Sequence, residues 1–289
     1  MTNFLQRALQ SWRRRWWRPN SAALAAYAGL RPLVVVTGDS EGIGLELARQ
    51  FALHGHDLLL IARRQELLDQ AATRIRAETG VDVFVLPLDL TTPGMLAAID
   101  AALASHRAFA DVVVNNAGIG FAGPFRAQLP DDIDGLVNLN IGALTKLMRH
   151  FLPDMRVRGQ GGILNVASLG GFIPGPNQAA YYASKAYVLS LTEAVAAETA
   201  GEGVRICALA PGPVNTRWHE KAGSENSFYR KFLPPSSAQA AARAGYRGFQ
   251  LGWRVTVPGL VNPFLAVAMR ILPHRIVIPI VGVLLQQRR

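Results

Sequence analysis

Acidic residues are missing from both ends of this 289-residue chain: none precedes Asp39 and none follows Glu225. The two ends hold fifteen Arg and Lys residues, so the chain's net charge of +10 leaves the body between them at −5. That partition argues against a nucleic-acid-binding domain, in which basic and aromatic residues would be woven through the fold. Cysteine is nearly absent. The single Cys207 excludes an internal disulfide, and its apolar surroundings (Val204-Arg205-Ile206-Cys207-Ala208-Leu209-Ala210) suit a buried core residue better than a nucleophile. No His/Cys cluster with metal-ligand spacing occurs, so no metal is expected. A long hydrophobic run is also lacking: residues 276–285 are apolar but interrupted by Pro279, and they fall short of the ~20 residues that span a bilayer. Charged residues make up only 17% of the chain against 50% hydrophobic, which excludes a disordered polymer and provides for a sizeable core.

What is present is a rhythm. From 33 to 257, short β-branched runs alternate with longer helical patterns, and this predicts an α/β Rossmann-type, doubly wound parallel sheet of about seven strands with helices on both faces. Strands are expected at 33–37, 57–62, 81–86, 111–115, 162–167, 204–210 and 254–257, and helices near 42–53, 65–78, 92–105, 131–155, 180–200 and 236–250. Leu33-Val34-Val35-Val36 is apolar at successive positions, as a strand covered on both faces must be.

The first strand runs into Thr37-Gly38-Asp39-Ser40-Glu41-Gly42-Ile43-Gly44. Glycines there permit a tight turn and close backbone approach, and the following helix offers free N–H groups to a pyrophosphate. The second strand ends in Arg63-Arg64 rather than in an acid. An acid would accept from a ribose 2′-hydroxyl, whereas arginine pairs with the extra phosphate of NADP, so NADP (NADPH) is the expected cofactor. Glu41 in the glycine loop opposes that reading if it faces the phosphate.

Tyr181 and Lys185 lie four apart in a helical pattern and so emerge on one face. A nearby ammonium stabilises a phenolate and lowers the phenol's pKa, which suits Tyr181 as a general acid/base. Tyr182 is a competing phenol out of register with Lys185. Gly161-Gly162-Ile163-Leu164-Asn165-Val166-Ala167-Ser168 reads as a buried strand delivering a hydroxyl at its carboxyl end, where α/β sheets bind ligands.

Together these segments resemble the short-chain dehydrogenase/reductase family over about 33–257. The resemblance rests on Thr37-Gly38-x-x-x-Gly42-Ile43-Gly44, Asp89, Asn115-Asn116-Ala117-Gly118, Ser168 thirteen residues before Tyr181, Lys185, and Pro211-Gly212-Pro213-Val214-Asn215-Thr216. It implies that Ser168 and Tyr181 bind the substrate oxygen, that Tyr181 passes a proton as hydride leaves the nicotinamide, and that Lys185 binds the nicotinamide ribose. It further implies Asp89 as an adenine contact, Asn115 as support for the adenosine side, and Val214 and Thr216 as the carboxamide turn. The family's relay asparagine falls on Asn140, counting back from Leu152-Pro153 as the helix end, with Asn138 the alternative. The run 161–172 and the Val255-Thr256-Val257-Pro258-Gly259 segment look like the branch of bacterial ketoreductases and membrane-associated steroid and 3-oxoacyl reductases. An apolar ketone, steroid or 3-oxoacyl substrate and a homo-oligomer are therefore expected. A non-catalytic NADP-binding sensor of the same fold is the rival, disfavoured by the intact Asn, Ser, Tyr and Lys set.

Three regions follow: a basic amphipathic segment at 1–31, a catalytic domain at 32–258 with a variable substrate lid near 218–235, and an apolar, basic tail at 259–289. On a helix, Leu5, Leu9, Trp12 and Trp16 form one stripe with Arg7, Arg14, Arg15 and Arg18 largely around the other side, the pattern of an interfacial anchor. A secretory signal is disfavoured because 21–30 is short, alanine-rich and set against the first strand. The expected location is cytoplasmic, with peripheral attachment to an anionic inner membrane face.

Overall fold

The computed structural model describes residues 19–38, 41–216, 222–223 and 235–286. Residues 1–18 of the N-terminal amphipathic segment, Ser40 and nearly all of the expected lid lie outside the described residues.

Seven parallel strands form one sheet: β1 (Arg31–Thr37), β2 (Asp57–Ala62), β3 (Val83–Pro87), β4 (Ala108–Asn115), β5 (Gly161–Val166), β6 (Val204–Leu209) and β7 (Val255–Thr256). Their order is β3-β2-β1-β4-β5-β6-β7. The chain moves outward from β1 through β3, then returns to start the other half at β4. The crevice at that reversal, beyond the carboxyl ends of β1 and β4, is where such sheets bind ligands.

Alternation within the buried strands builds a core on each face. Leu33 and Val35 of β1 pack with Leu59 and Ile61 of β2 on one side, while Val34 and Val36 pack with Leu58 and Leu60 on the other. The first face is covered by α4 (Met95–Ser105), α6 (Leu144–Arg158) and α7 (Ala179–Glu198); the second by α2 (Gly42–Ala52), α3 (Gln65–Thr79) and α8 (Ala238–Leu251). Ahead of the sheet, α1 (Ser21–Ala25) is capped by the Asn20 side chain, and Tyr27 packs edge-on against Phe109 beneath the buried Arg158 guanidinium.

Two prolines expected to end or interrupt helices do neither. Pro153 lies inside α6, which runs on to Arg158 and is closed by left-handed Gly159. Pro279 lies inside α10 (His274–Leu284), which follows α9 (Asn262–Ile271). In each case the carbonyl four residues back, on Arg149 or Arg275, belongs to an exposed residue. Water can therefore satisfy what the missing N–H does not, and apolar packing on the other face holds the helix.

A π-helical turn, Asn138–Ala143, joins α5 (Pro130–Val137) to α6. Such widened turns concentrate at functional sites because they displace one residue from the regular ladder. Here they leave Asn138 exposed and turn Asn140 inward.

Candidate active site

A cavity of about 770 Å³ occupies the carboxyl-end crevice. Following the strand order, its lining runs from Asp89 and Thr91 after β3 and Arg63 after β2, through Gly42 and Ile43 after β1, to Ser168 after β5 and Pro211–Val214 and Thr216 after β6, with Tyr181 and Lys185 of α7 also lining it. The sequence-derived candidates Gly38, Gly42, Ile43, Arg63, Asp89, Ser168, Tyr181, Lys185, Val214 and Thr216 all line this single space.

Thr37, Gly44 and Asn115 stand behind its wall instead. The buried Thr37 hydroxyl donates to the Val114 carbonyl (3.2 Å) and accepts from the backbone N–H groups of Asn116 and Ala117. Asn116 donates from its amide to the carbonyls of Thr37 (3.1 Å) and Gly38 (2.8 Å), clamping the glycine loop onto β4. Gly44 is required by that clamp, since an added Cβ would stand 2.3 Å from the Asn116 amide nitrogen. Asn115, expected to support the adenosine side of a cofactor, does not line the cavity, and its neighbour Asn116 holds the glycine loop. Asn115 starts a buried chain, donating to Asn165 (2.9 Å), which donates to Thr192 of α7 (2.8 Å). That chain fixes α7, and with it Tyr181 and Lys185, against the sheet.

The residues present fit a dinucleotide. Gly42 opens α2 at φ 71°, a left-handed conformation that disfavours other residues. The Glu41 cap residue makes no side-chain cap bond, so the helix's first N–H groups stay available to an anion. Glu41 is ion-paired with Arg64, which offsets the charge that would oppose a phosphate. The Asp89 carboxyl is held below the usual carboxylate range, first by the Thr91 hydroxyl and backbone N–H and lastly by the charge of Arg63.

Ser168 Oγ accepts from the Gly170 N–H (3.1 Å), leaving its own hydrogen to donate elsewhere. The buried Lys185 ammonium lies 5.7 Å from the Tyr181 ring centre and donates to the Val166 carbonyl (2.8 Å). Burial pushes its pKa down from 10.5 to about 8. Asn140, not Asn138, reaches this centre. Its Oδ1 accepts from the Ile119 N–H (2.9 Å), and its Nδ2 donates to the Ile119 carbonyl (2.8 Å) and to Ser184 Oγ (3.0 Å). A Cβ on Gly118 would lie 3.2 Å from Asn140 Oδ1 and 3.5 Å from Lys185 Nζ, so asparagine and lysine flank one backbone strip.

Residues 32–227 match the family model for short chain dehydrogenase. The chain belongs to the short-chain dehydrogenase family. A very-long-chain 3-oxoacyl-CoA reductase of Anas platyrhynchos is 34% identical over 206 residues, covering 70% of this chain and 65% of that one. The short-chain dehydrogenase from Sphingobium yanoikuyae in complex with NADPH aligns at 36% identity with a TM-score of 0.71, covering 78% of this chain and 87% of that one. The bulky-bulky ketone specific alcohol dehydrogenase from Comamonas testosteroni aligns at 32% identity with a TM-score of 0.68, covering 79% and 86%. As a short-chain dehydrogenase the chain is an NAD(P)-dependent oxidoreductase acting on a small molecule.

Sequence reasoning missed one wall of this dehydrogenase's cavity. Met269 of α9, together with Val281, Leu284 and Leu285 at α10, closes its apolar end beside Ile173 and Tyr182. The only signal was the apolar run 276–285, which periodicity alone could not aim inward or outward.

Proposed function

We propose that this dehydrogenase uses NADPH to reduce an apolar ketone, a steroid or a 3-oxoacyl compound, with Tyr181 as the general acid. One observation carries the proposal: a single cavity is lined by Arg63, by the Ser168/Tyr181/Lys185 group and by apolar side chains of α9 and α10. The neighbours that bind NADPH, act on bulky ketones or reduce very long 3-oxoacyl chains support the same reading.

When bound, NADPH supplies hydride from nicotinamide C4 to the carbonyl carbon. The chain's residues do the rest. Gly42, Ile43 and the α2 N-terminus would hold the pyrophosphate, Arg63 the 2′-phosphate, Asp89 the adenine, and Val214 and Thr216 the carboxamide. Ser168 donates its free hydrogen to the substrate oxygen and holds it beside the Tyr181 hydroxyl. Tyr181 then releases its proton to that oxygen as negative charge develops there. The Lys185 ammonium favours the phenolate that remains, and Asn140 positions the 118–119 strip beneath both. Rings and alkyl chains rest against Met269, Val281 and Leu285, where their burial contributes about 25 cal/mol per Å².

The test is NADPH oxidation by native protein and by Tyr181→Phe with aromatic ketones, steroids and 3-oxoacyl thioesters. Turnover should fall by roughly 10²–10⁴ in the variant while NADPH binding persists. Equal turnover by the two proteins, or no reduction of any of the three classes, overturns the assignment. We also propose peripheral association of residues 1–31 with an anionic membrane surface, on the strength of their six arginines and absence of acids.

A further inference from the structure

The two C-terminal helices have two apolar faces, and the cavity needs only one. Along α10, Val277 and Val281, with Leu285 at its end, turn inward and pack with Ile173. One position earlier in each turn, Ile276 and Ile280, followed by Val283, form an outward stripe. α9 repeats the pattern: Ala266 is buried, Met269 joins the inner cluster, and Phe264, Val267 and Ile271 at i, i+3 and i+7 stay outside. The outward residues are large and strongly exposed, with Phe264 at 78%, Ile271 at 75% and Leu260 at 90% just before α9. Scattered apolar side chains on a surface need no explanation, but two aligned stripes on consecutive helices do.

Charge chooses the occupant. From 258 to the C-terminus the sequence has four arginines and no acid; Arg275 is exposed at the start of α10, while Arg270 pairs with Glu193 of α7 and lies over the Phe172 ring. A second copy docking through a two-fold axis would bring two basic, acid-free tails together, because such an interface places the same patch on both sides. An anionic lipid surface satisfies both features at once, taking the apolar side chains into the acyl boundary and Arg275 at the headgroups.

We infer that the outer face of α9 and α10 docks into the headgroup–acyl boundary of an anionic bilayer, which sets the apolar wall of the cavity next to the lipid. Docking itself stands apart from the substrate class proposed above; entry of an apolar substrate from the lipid side rests on that class.

The buried Cys207 leaves an introduced surface thiol as the accessible labelling site. Full-length Phe264→Cys and Ile271→Cys, each carrying an environment-sensitive fluorophore, would be mixed with vesicles of phosphatidylglycerol and phosphatidylcholine. Asp69→Cys on α3 serves as the control. Labels at 264 and 271 should shift to the blue and brighten several-fold on anionic vesicles, and the label at 69 should not. Protein that pellets with vesicles while labels 264 and 271 still report water would overturn the inference, by assigning attachment to another segment. A blue shift that grows with protein concentration without lipid would overturn it in favour of a second copy. A shift already complete in dilute, lipid-free protein would overturn it in favour of cover by the chain itself. A second variant, Phe264→Asp/Ile271→Asp, should pellet less with the same vesicles than native protein does, yet reduce a small water-soluble ketone at the native rate. Loss of both would signal a damaged fold, and labels that shift on a protein reducing no ketone would leave docking intact while the functional reading fails.

Discussion

Lys185 shows how one residue carries both a cost and a function. Burial holds its pKa near 8 rather than 10.5, so at neutral pH the folded chain keeps a desolvated ammonium that the unfolded chain would hydrate. Below pH 8 that penalty is complete. Between about 8 and 10.5 the folded form has shed the proton while the unfolded form still holds it, so the penalty shrinks as pH rises. Lys185→Met should therefore raise the apo protein's melting temperature, with ~2–4 °C expected per kcal/mol gained in a chain of this size. The gain should be largest below pH 8 and fade towards pH 10.5, while reductase activity is lost. A melting temperature that falls at neutral pH would contradict the penalty. Reduction by native protein should decline as pH rises through about 8, because the charge that favours the phenolate disappears. Arg63 and Arg64 should separate in the same way. Arg64 is ion-paired with Glu41, so Arg63→Ala should weaken NADPH binding by about 10–100-fold and leave NADH unchanged, as for one charge-assisted contact. Arg64→Ala should cost less. Titration of both cofactors against both variants decides this.

At the scale of elements, the site depends on two asparagine clamps. Asn116 ties the glycine loop to the end of β4, and Gly44 leaves room for its amide. Gly44→Ala has no space without moving Asn116 or the Gly38 carbonyl, so a destabilisation of about 1–3 kcal/mol is expected. The NADPH dissociation constant should rise with it, as read by denaturation and by titration on the same protein. The other clamp is Asn140, whose amide grips both backbone groups of Ile119 from within a π-helical turn. Asn138 and Asn140 stand two residues apart, and choosing between them by count relied on Pro153 ending the helix. Pro153 does not end it. Asn140 faces inward because the widened turn rotates it there, and no residue pattern in 137–142 announces that rotation.

Across the whole molecule, charge separates the ends from the body. Residues 1–18 lie outside the described structure, but their arginines are explicit in the sequence. Changing Arg13, Arg14 and Arg15 to Gln should weaken binding to anionic vesicles by about 100-fold, since each cation near such a surface contributes ~1 kcal/mol. Salt should weaken the native protein's binding without abolishing it, because apolar burial is not screened. Co-sedimentation at low and high salt measures both effects, and unchanged pelleting of the triple variant would remove the segment from the account. Among the described residues no helix is long and apolar enough to cross a membrane.

Periodicity alone fixed the α/β class, the strand sequence and most element limits, because uninterrupted Val, Leu and Ile runs such as 33–36 can be buried only between two helical layers. Spacing alone also set Tyr181 and Lys185 on one helical face. Neither could say which of Asn115 and Asn116 clamps the loop, whether Asn138 or Asn140 turns inward, or that Pro279 sits inside a helix whose inner face closes the cavity. Those outcomes depend on what each side chain meets from distant parts of the chain: Gly38 against Ala117, Asn140 against Ile119, and Val281 against Ile173. The pattern of one segment states its periodicity, and only the packed neighbours decide where its faces point.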